Sequence, residues 1–212
     1  GEYEITDALS LLVRDGQVTG YPLSFWLDVG YPWDLLEANA MLLSDRAFER
    51  EGTVEPGAVL DGDVAVGPGS VVRTGTVIEG PCVIGRDSRI GPHAYIRGAT
   101  SIGNDCHVGH GSEVKNSIIL PGTKIPHFNY VGDSVIGSSC NLGAGTKIAN
   151  LRNDRKPVRA CGRDTGRVKF GAVVGDGVSF GINCSVNAGN IVGSGCSFAP
   201  QSYIHGCIMD GT

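Results

Sequence analysis

The spacing of Arg97 and Lys115 is the feature of the sequence that most directly suggests chemistry. The two residues are 18 apart, and each directly follows an aliphatic residue of a repeat with a period of six. If three repeats make one coil of a solenoid, residues 18 apart stack at about 4.8 Å, the spacing of neighbouring strands. Stacked cations are unfavourable unless an anion lies beside them, and a bound phosphate would supply one. Glu79, one coil earlier, would instead simply neutralise Arg97, and spacing alone leaves both interpretations open.

His127 is the candidate general base. It lies in residues 124–133, beyond the point after Val114 where the period of six slips by one residue. Such a break can re-aim a side chain, and an imidazole can accept a proton near neutral pH. Counted across the slip, His110 falls on the same corner of the neighbouring coil. A zinc site is the alternative use of the histidines, although carboxylates are not suitably placed beside them: His93, His107, His110 and His127.

Two further segments depart from the regular pattern. Residues 141–150 contain small residues throughout, which is typical of a tight corner or of backbone N–H groups exposed to an extended ligand. Residues 151–171 interrupt the repeat and contain seven of the 17 basic residues: Arg152, Arg155, Lys156, Arg159, Arg163, Arg167 and Lys169. A long excursion from a regular solenoid is usually functional or disordered.

The repeat of six residues is the element that must position these side chains. Aliphatic residues recur at this interval from Val54 to Val114, and a small residue or a valine follows four positions after each of the first ten. No helix or ordinary strand has this period, which marks a parallel β-helix. We expect the aliphatic residues to point inward and the small residues to fit beneath the corners. The solenoid should begin near Thr53 and resume at Val174 after the excursion.

Composition excludes several classes of function. The 212 residues include 33 glycines and carry a net charge of −5, which argues against a nucleic-acid partner. The sequence lacks an apolar run of membrane length, so we expect no membrane partner. The odd cysteine count and the lack of a CxxC pair predict a reducing, cytoplasmic location. Five cysteines occupy small positions of the repeat and should be packed thiols rather than metal ligands or disulfide partners: Cys82, Cys106, Cys140, Cys184 and Cys196.

The first 50 residues do not follow the repeat. An apolar helical face that begins at Ile5 is stopped by Gly16, residues 25–29 resemble a buried strand, and Pro32 suits the start of a second helix. This αβα material is too short to be a domain alone. We expect it to cover the open edge of the first coil and to be part of a longer protein.

At this point the motifs resemble a known family. The hexads, PHFNYVGDS (126–134) and NLGAGTKIAN (141–150) are similar to the acetyltransferase half of the bifunctional glucosamine-1-phosphate N-acetyltransferase/UDP-N-acetylglucosamine pyrophosphorylase family. The sequence from residue 151 to 183 resembles the archaeal branch. The resemblance implies a homotrimer of left-handed β-helices with sites between subunits. It divides the chain into residues 1–50, the tail of a nucleotidylyltransferase-like domain, and 51–212, the acetyltransferase domain with basic loop 151–171.

The resemblance also implies a role for each matching residue. His127 would take a proton from the amine of an amino-sugar 1-phosphate as that nitrogen attacks the thioester of acetyl-CoA, in the synthesis of a UDP-N-acetylhexosamine. The other matching positions would hold the sugar phosphate (Arg97, Lys115), contact the sugar (Tyr130, Asn141), lie near the acetyl group (Asn150) and contact acetyl-CoA through the backbone (Ala144).

The N-terminal segment carries a second, incomplete match. Asp28 resembles the aspartate that binds Mg²⁺ in the nucleotidyltransferase site, and Glu4 resembles a sugar contact there. The glycine-rich nucleotide loop of that domain is absent, so this chain alone is not expected to form a nucleotide sugar.

Departures from the bacterial pattern leave the amino sugar open. Leu151 replaces an aromatic residue, His110 replaces an amide, and the basic loop is longer. Glucosamine-1-phosphate is the expected acceptor, with galactosamine-1-phosphate as the alternative. Two other functions are compatible with the repeat: a non-catalytic oligomerisation or regulatory β-helix of a GDP-mannose or glucose-1-phosphate pyrophosphorylase, and a γ-carbonic-anhydrase-like metalloenzyme.

Overall fold

A computed structural model describes residues 4–45 and 48–211. Helix α1 spans Ile5–Arg14, a short 3₁₀ helix spans Pro32–Asp34, and helix α2 spans Leu35–Ser44. In chain order, strands β1 to β26 are Thr53–Val54, Val59–Asp61, Val64–Val66, Val71–Val72, Val77–Glu79, Cys82–Ile84, Arg89–Ile90, Tyr95–Arg97, Thr100–Ile102, His107–Val108, Glu113–Lys115, Ile118–Ile119, Lys124–Ile125, Tyr130–Gly132, Val135–Ile136, Asn141–Leu142, Lys147–Ile148, Arg159–Ala160, Arg163–Asp164, Ala172–Val174, Ser179–Phe180, Ser185–Val186, Asn190–Val192, Ser197–Phe198, Tyr203–Ile204 and Cys207–Ile208.

The strands of the repeat form three parallel sheets of eight strands each. Sheet 1 has the order β1-β4-β7-β10-β13-β16-β21-β24, sheet 2 has β2-β5-β8-β11-β14-β17-β22-β25, and sheet 3 has β3-β6-β9-β12-β15-β20-β23-β26. Successive strands therefore pass from one sheet to the next, and every third strand returns to the same sheet. This arrangement confirms the predicted parallel β-helix.

The interior of the solenoid contains the residues that the period predicted. The aliphatic residues from Val66 to Val114 in this series are buried, whereas Val54 in the first coil is 38% exposed. Hydroxyl groups at the small positions link neighbouring coils: Ser70 Oγ donates to the Gly85 carbonyl at 2.6 Å and accepts from the Ser88 N–H at 2.8 Å. The small residues beneath the corners thus contribute hydrogen bonds between coils as well as packing.

The five cysteines at small positions of the repeat are buried free thiols, as predicted. Burial raises the pKa of the Cys82 thiol to about 12 and raises the pKa values of Cys106 and Cys140. Thiol reagents react with the thiolate. We therefore expect these five thiols to be unreactive towards 5,5′-dithiobis(2-nitrobenzoate) at pH 8 in the folded chain and to react after unfolding in urea. Rapid labelling of any of them in the folded chain would contradict this assignment.

The other two cysteines correct the sequence interpretation, which assigned no disulfide. Cys161 and Cys207 form a disulfide with their Cα atoms 5.6 Å apart, although they are 46 residues apart in the chain. Strands β18 and β19 form an antiparallel hairpin within the excursion, and Cys161 lies at its tip. The hairpin folds back to β26, a return path that the repeat spacing does not reveal.

The one-residue slip in the repeat lies at the corner between sheets 2 and 3. Strand pairs before it are offset by 18 residues, whereas Ile119 pairs with Ile102, an offset of 17. Two residues, Asn116 and Ser117, separate Lys115 from Ile118 at this corner, where three residues, Gly98, Ala99 and Thr100, separate their register partners Arg97 and Ser101 one coil earlier. Asn116 makes the shortened turn with a φ of 44°. The missing residue therefore shortens the corner between sheets 2 and 3, here and again one coil later, and leaves the three sheets continuous.

The N-terminal segment differs from two expectations. Helix α1 and the helical turn at Pro32 are present, but residues 25–29 are not a strand: Phe25 is 58% and Trp26 is 74% exposed, and the described residues 4–45 provide no strand beside them. Helix α2 packs on the flank of the solenoid at sheet 3, where Asn39 donates to the Ala99 carbonyl at 2.8 Å and accepts from Ser101 Oγ at 2.6 Å. We expected this segment to cover the open edge of the first coil, but these contacts are to β9 and to the corner before it. None of the helices in the described residues combines the length and the apolar character needed to cross a membrane.

Candidate functional site

Arg97 and Lys115 lie side by side on sheet 2, as their spacing predicted. They are register partners at the ends of β8 and β11. Each cation has a carboxylate partner: Arg97 donates from Nε and Nη2 to Glu113 Oε1 at 2.9 and 2.7 Å, and Lys115 Nζ lies 3.3 Å from Asp133 Oδ2. Donation to the Glu113 carboxylate raises the pKa of Arg97. The carboxylates that offset the repulsion between the stacked cations are therefore Glu113 and Asp133.

Glu79 does not neutralise Arg97, which was the alternative interpretation of the spacing. Glu79 is the register partner of Arg97 on the preceding coil, but its carboxylate accepts a hydrogen bond from the Tyr95 hydroxyl, which raises the pKa of Tyr95. Arg97 instead uses two of its five N–H donors on Glu113, and Lys115 uses one of its three on Asp133. Both cations therefore keep donors that an anion could accept from.

Asp133 is the residue of this cluster that sequence reasoning missed. Its side chain is almost fully buried, and its carboxylate also accepts from Asn116 Nδ2 at 2.7 Å and from Asn150 Nδ2. Asp133 turns the chain with a φ of 50° at the second shortened corner, a conformation that Asp tolerates better than most residues. The signal for it was its place in PHFNYVGDS, 18 residues after Lys115.

Tyr130, on β14, and Asn150, two residues after β17, complete the cluster. Gly132, at the end of β14, leaves room for them, since a Cβ there would lie 2.5 Å from the Tyr130 hydroxyl and 2.8 Å from Asn150 Nδ2. Burial raises the pKa of Tyr130, and the negative charges of Glu113 and Asp133 add to the shift. Tyr130 is therefore a neutral phenol at pH 7, able to donate a hydrogen bond.

His127 lies apart from these residues, at the corner between sheets 1 and 2. Its side chain is exposed, and its imidazole has no hydrogen-bond partner among the residues that the structure describes. The pKa of His107 on sheet 1 is lowered by burial first and then by electrostatic interaction with His127, Arg89 and Lys124. His127 is thus free to accept a proton from a ligand on this corner.

The predicted correspondence of His110 and His127 is present, but their rings do not stack. His107 and Lys124 are register partners, and His110 and His127 each lie three residues after one of them. The His110 ring packs edge-on against Phe128 and His93, with centroids 5.1 and 5.6 Å apart. The described part of the chain contains no group of three His, Cys, Asp or Glu side chains placed to hold a metal ion.

Asn141 and Ala144 extend this corner by one coil. Asn141 is exposed on sheet 1 as the register partner of Lys124. Gly145 N–H donates to the His127 carbonyl at 2.9 Å, which places the corner of Ala144 directly beside His127. Among the described contacts the Ala144 N–H has no acceptor, so it is available to a ligand. Lys147, which sequence reasoning did not single out, donates to the Phe128 carbonyl at the same corner.

The site residues predicted from the sequence therefore form two groups, one at each end of the strands of sheet 2. Arg97 and Lys115 share a row with Gly132, which is five residues after His127, or up to about 17 Å of extended chain. The described contacts of one chain do not join the imidazole to either cation. A ligand that reached both groups would have to lie along the sheet.

Glu4 and Asp28, the two residues that match the nucleotidyltransferase site, are far in sequence from both groups, and their described contacts are local. Glu4 precedes α1, where its N–H donates to Asp7 Oδ2 at 3.2 Å, and Asp28 is exposed in a segment without regular structure. Mg²⁺ requires a near-octahedral set of oxygen ligands. Asp28 alone does not provide that set, so the described residues do not fit a complete magnesium site.

Comparison with known proteins identifies the family. A family model described as the GMPPB C-terminal domain matches residues 78–210, more than half of the chain. The chain belongs to this family. The GMPPB C-terminal domain match covers both groups of candidate residues, and the N-terminal segment lies outside it.

Relatives of this GMPPB C-terminal domain protein include bifunctional enzymes, which confirms the resemblance seen in its motifs. The chain is 45% identical over 200 residues to the "Bifunctional protein GlmU" of Methanocaldococcus jannaschii, covering 92% of this chain and 49% of that protein. It is 38% identical over 211 residues to the "Bifunctional sugar-1-phosphate nucleotidylyltransferase/acetyltransferase" of Sulfurisphaera tokodaii, covering 97% and 53%. The chain thus spans about half the length of these relatives. Among solved structures, UDP-N-acetylglucosamine O-acyltransferase (LpxA) from Moraxella catarrhalis RH4 aligns with 74% of this chain and 63% of its own, at 16% identity and a TM-score of 0.38.

Proposed function

We propose that the chain transfers the acetyl group of acetyl-CoA to the amine of an amino-sugar 1-phosphate. The observation that carries the proposal is a cluster in which Lys115 and Asn150 meet at the buried Asp133 and Arg97 pairs with Glu113 beside them. This cluster lies at the far end of the strands of sheet 2 from the corner of His127. Hydrogen-bond donors at one end suit a phosphate, and a free imidazole at the other suits proton transfer. The names of the bifunctional relatives support this reaction class.

The proposed reaction joins the sugar nitrogen to the acetyl carbon and breaks the bond from that carbon to the sulfur of coenzyme A. His127 accepts the proton that the amine loses as it attacks the thioester, and it returns that proton to the departing thiolate. The Ala144 N–H, which has no acceptor in the described contacts, would donate to the oxyanion of the tetrahedral intermediate. Arg97 and Lys115 would hold the phosphate through their remaining donors, and Tyr130 and Asn141 would contact the sugar.

We further propose that the active unit is a homotrimer in which a neighbouring subunit completes the site. Within one chain, His127 and the two cations lie at opposite ends of the strands of sheet 2. The flat parallel sides of a solenoid suit side-by-side packing with rotational symmetry. Analytical ultracentrifugation tests this state, and an active monomer would exclude a shared site.

The test of the reaction is a thiol-release assay with acetyl-CoA and a panel of acceptors. Glucosamine-1-phosphate and galactosamine-1-phosphate should release coenzyme A, whereas glucose-1-phosphate, which lacks the amine, should not. Release with neither amino sugar would overturn the proposal and favour a non-catalytic oligomerisation or regulatory β-helix. Metal analysis of the same sample tests the carbonic-anhydrase-like alternative.

Replacement of Arg97 by alanine should mainly raise the KM for the amino-sugar phosphate. Loss of a charged hydrogen bond to phosphate costs about 1.5–3 kcal/mol, which corresponds to a KM about 10- to 100-fold higher if the bond is equally strong in the ground and transition states. Arg73→Ala is the matched control, because Arg73 also pairs with a glutamate, Glu55, at 3.4 Å on an earlier coil. A fall in kcat with an unchanged KM would contradict a role for Arg97 in phosphate binding.

A further inference from the structure

The excursion at 151–171 ends on the backbone of the candidate site. Phe170 N–H donates to the Asn150 carbonyl at 2.9 Å, and Gly171 N–H donates to the Asp133 carbonyl at 2.8 Å. Leu151 and Lys169 pair antiparallel across the base of the excursion. The segment that leaves the excursion therefore fixes the main chain of Asp133 and Asn150, the two residues whose side chains meet beside Lys115.

The position of Phe170 is in turn fixed by the N-terminal segment. Phe170 is fully buried, and its ring packs edge-on against Trp33, with centroids 5.9 Å apart. The two rings form a small core outside the solenoid, which also contains Leu36, Val135, Val158 and Ala160. Val135 follows Asp133 by two residues, so this core lies directly behind the candidate site.

The junction at Gly171 leaves little freedom for Phe170 to move independently. A Cβ at Gly171 would collide with Ser134 Oγ and with the Gly132 carbonyl. The same serine hydroxyl accepts from the Ala172 N–H at 3.1 Å. A displacement of Phe170 is therefore passed to the backbone of 132–134, because packed interiors transmit strain.

We propose that Trp33 is a positioning residue for the sugar-phosphate site and acts through Phe170 on Asp133 and Asn150. The inference rests on the proposed function, since it assigns to the N-terminal segment a part in acetyl transfer. Trp33 touches neither substrate nor the reacting atoms. Its ring holds the segment that returns from the excursion. This segment holds Asp133, which pairs with Lys115, and Asn150, which donates to Asp133.

The test compares Trp33→Ala, Trp33→Phe and Asn39→Ala in the full chain. Trp33→Ala should raise the KM for the amino-sugar phosphate about five- to tenfold, with kcat and the KM for acetyl-CoA little changed. Trp33→Phe should restore much of the affinity because it keeps an aromatic ring against Phe170. Asn39→Ala removes an anchor of the N-terminal segment that lies away from Phe170, at Ala99 and Ser101, and should leave all three kinetic constants unchanged.

Hydrogen exchange supplies a readout that is independent of catalysis. Trp33→Ala should accelerate exchange of the Phe170 and Gly171 amides, whereas Asn39→Ala should not. If Trp33→Ala does not fold, Phe170→Leu takes its place, since it keeps an apolar side chain but loses the edge-on ring contact.

The outcomes separate the two proposals. An unmodified chain that releases no coenzyme A with any amino-sugar phosphate overturns the proposed function and, with it, the role of Trp33 in that function. An active chain in which Trp33→Ala changes neither the KM for the sugar phosphate nor the exchange of these amides overturns the positioning role alone. An equal rise of this KM in Asn39→Ala would show that docking of the segment as a whole, and not Trp33, is responsible.

Discussion

Replacement of His127 by alanine should lower the rate of acetyl transfer by about 10²–10⁴-fold, the usual contribution of a general base. The imidazole is exposed and has no hydrogen-bond partner among the described residues, so its removal should leave the solenoid folded. Thiol release under saturating substrates measures the rate, and circular dichroism with sedimentation measures fold and assembly. The KM values should change little if His127 acts only in proton transfer.

The matched control for this prediction is His110→Ala. His110 occupies the equivalent corner position one coil earlier and is also exposed, but its ring packs against His93 and Phe128. The His110 variant should stay close to the unmodified chain in rate. Near-normal release of coenzyme A by His127→Ala would remove the base from the proposed mechanism.

Replacement of Asp133 by asparagine should damage both stability and substrate binding. One carboxylate accepts from Lys115, Asn116 and Asn150, and an amide group would turn a donor towards these donors. Removal of one partner of a buried ion pair costs about 3–5 kcal/mol. We expect a loss of about this size in the free energy of unfolding, measured in urea, and a higher KM for the amino-sugar phosphate because Lys115 and Asn150 lose their common acceptor.

Glu113→Gln provides the comparison for Asp133→Asn. Its carboxylate also pairs with a cation of the cluster, Arg97, but the two side chains are 30% and 36% exposed. Pairs at this exposure contribute about 0–1 kcal/mol, so the loss of stability should be small. Equal losses for the two variants would show that burial of Asp133 does not govern the strength of its pair.

The sequence predicted the regular part of the fold because its period reports directly on which side chains point inward. The same count placed Arg97 beside Lys115, and it placed His110 and His127 at equivalent corners. It did not find Asp133 or Glu113 as counter-ions, because the choice among neighbouring carboxylates depends on side-chain directions that spacing does not specify. It assigned the slip to a region, but only the register of the strands shows that the residue is missing at the corner of Asn116 and Ser117.

Where the repeat is absent, prediction depended on local pattern and was less accurate. The apolar residues at 25–29 suggested a strand, but a strand requires a partner, and none lies beside them in the described N-terminal residues. The disulfide between Cys161 and Cys207 and the packing of Trp33 on Phe170 both arise from the path of the excursion across sheet 3. Contacts of this kind join residues far apart in sequence and leave no periodic signal.

The resumption of the register after residue 171 shows how such a scaffold can acquire new chemistry. Asn141 pairs with Ser179 at an offset of 38 residues, yet the sheets continue on both sides as if the intervening segment were absent. A corner of the solenoid therefore behaves as an insertion point, where a segment of independent length can be added without disturbing the stacking of coils. In this protein the inserted segment shares a small core with the N-terminal segment and bonds to the backbone of Asp133 and Asn150. A change in its sequence can therefore reach the candidate site while the stacking of the coils stays constant.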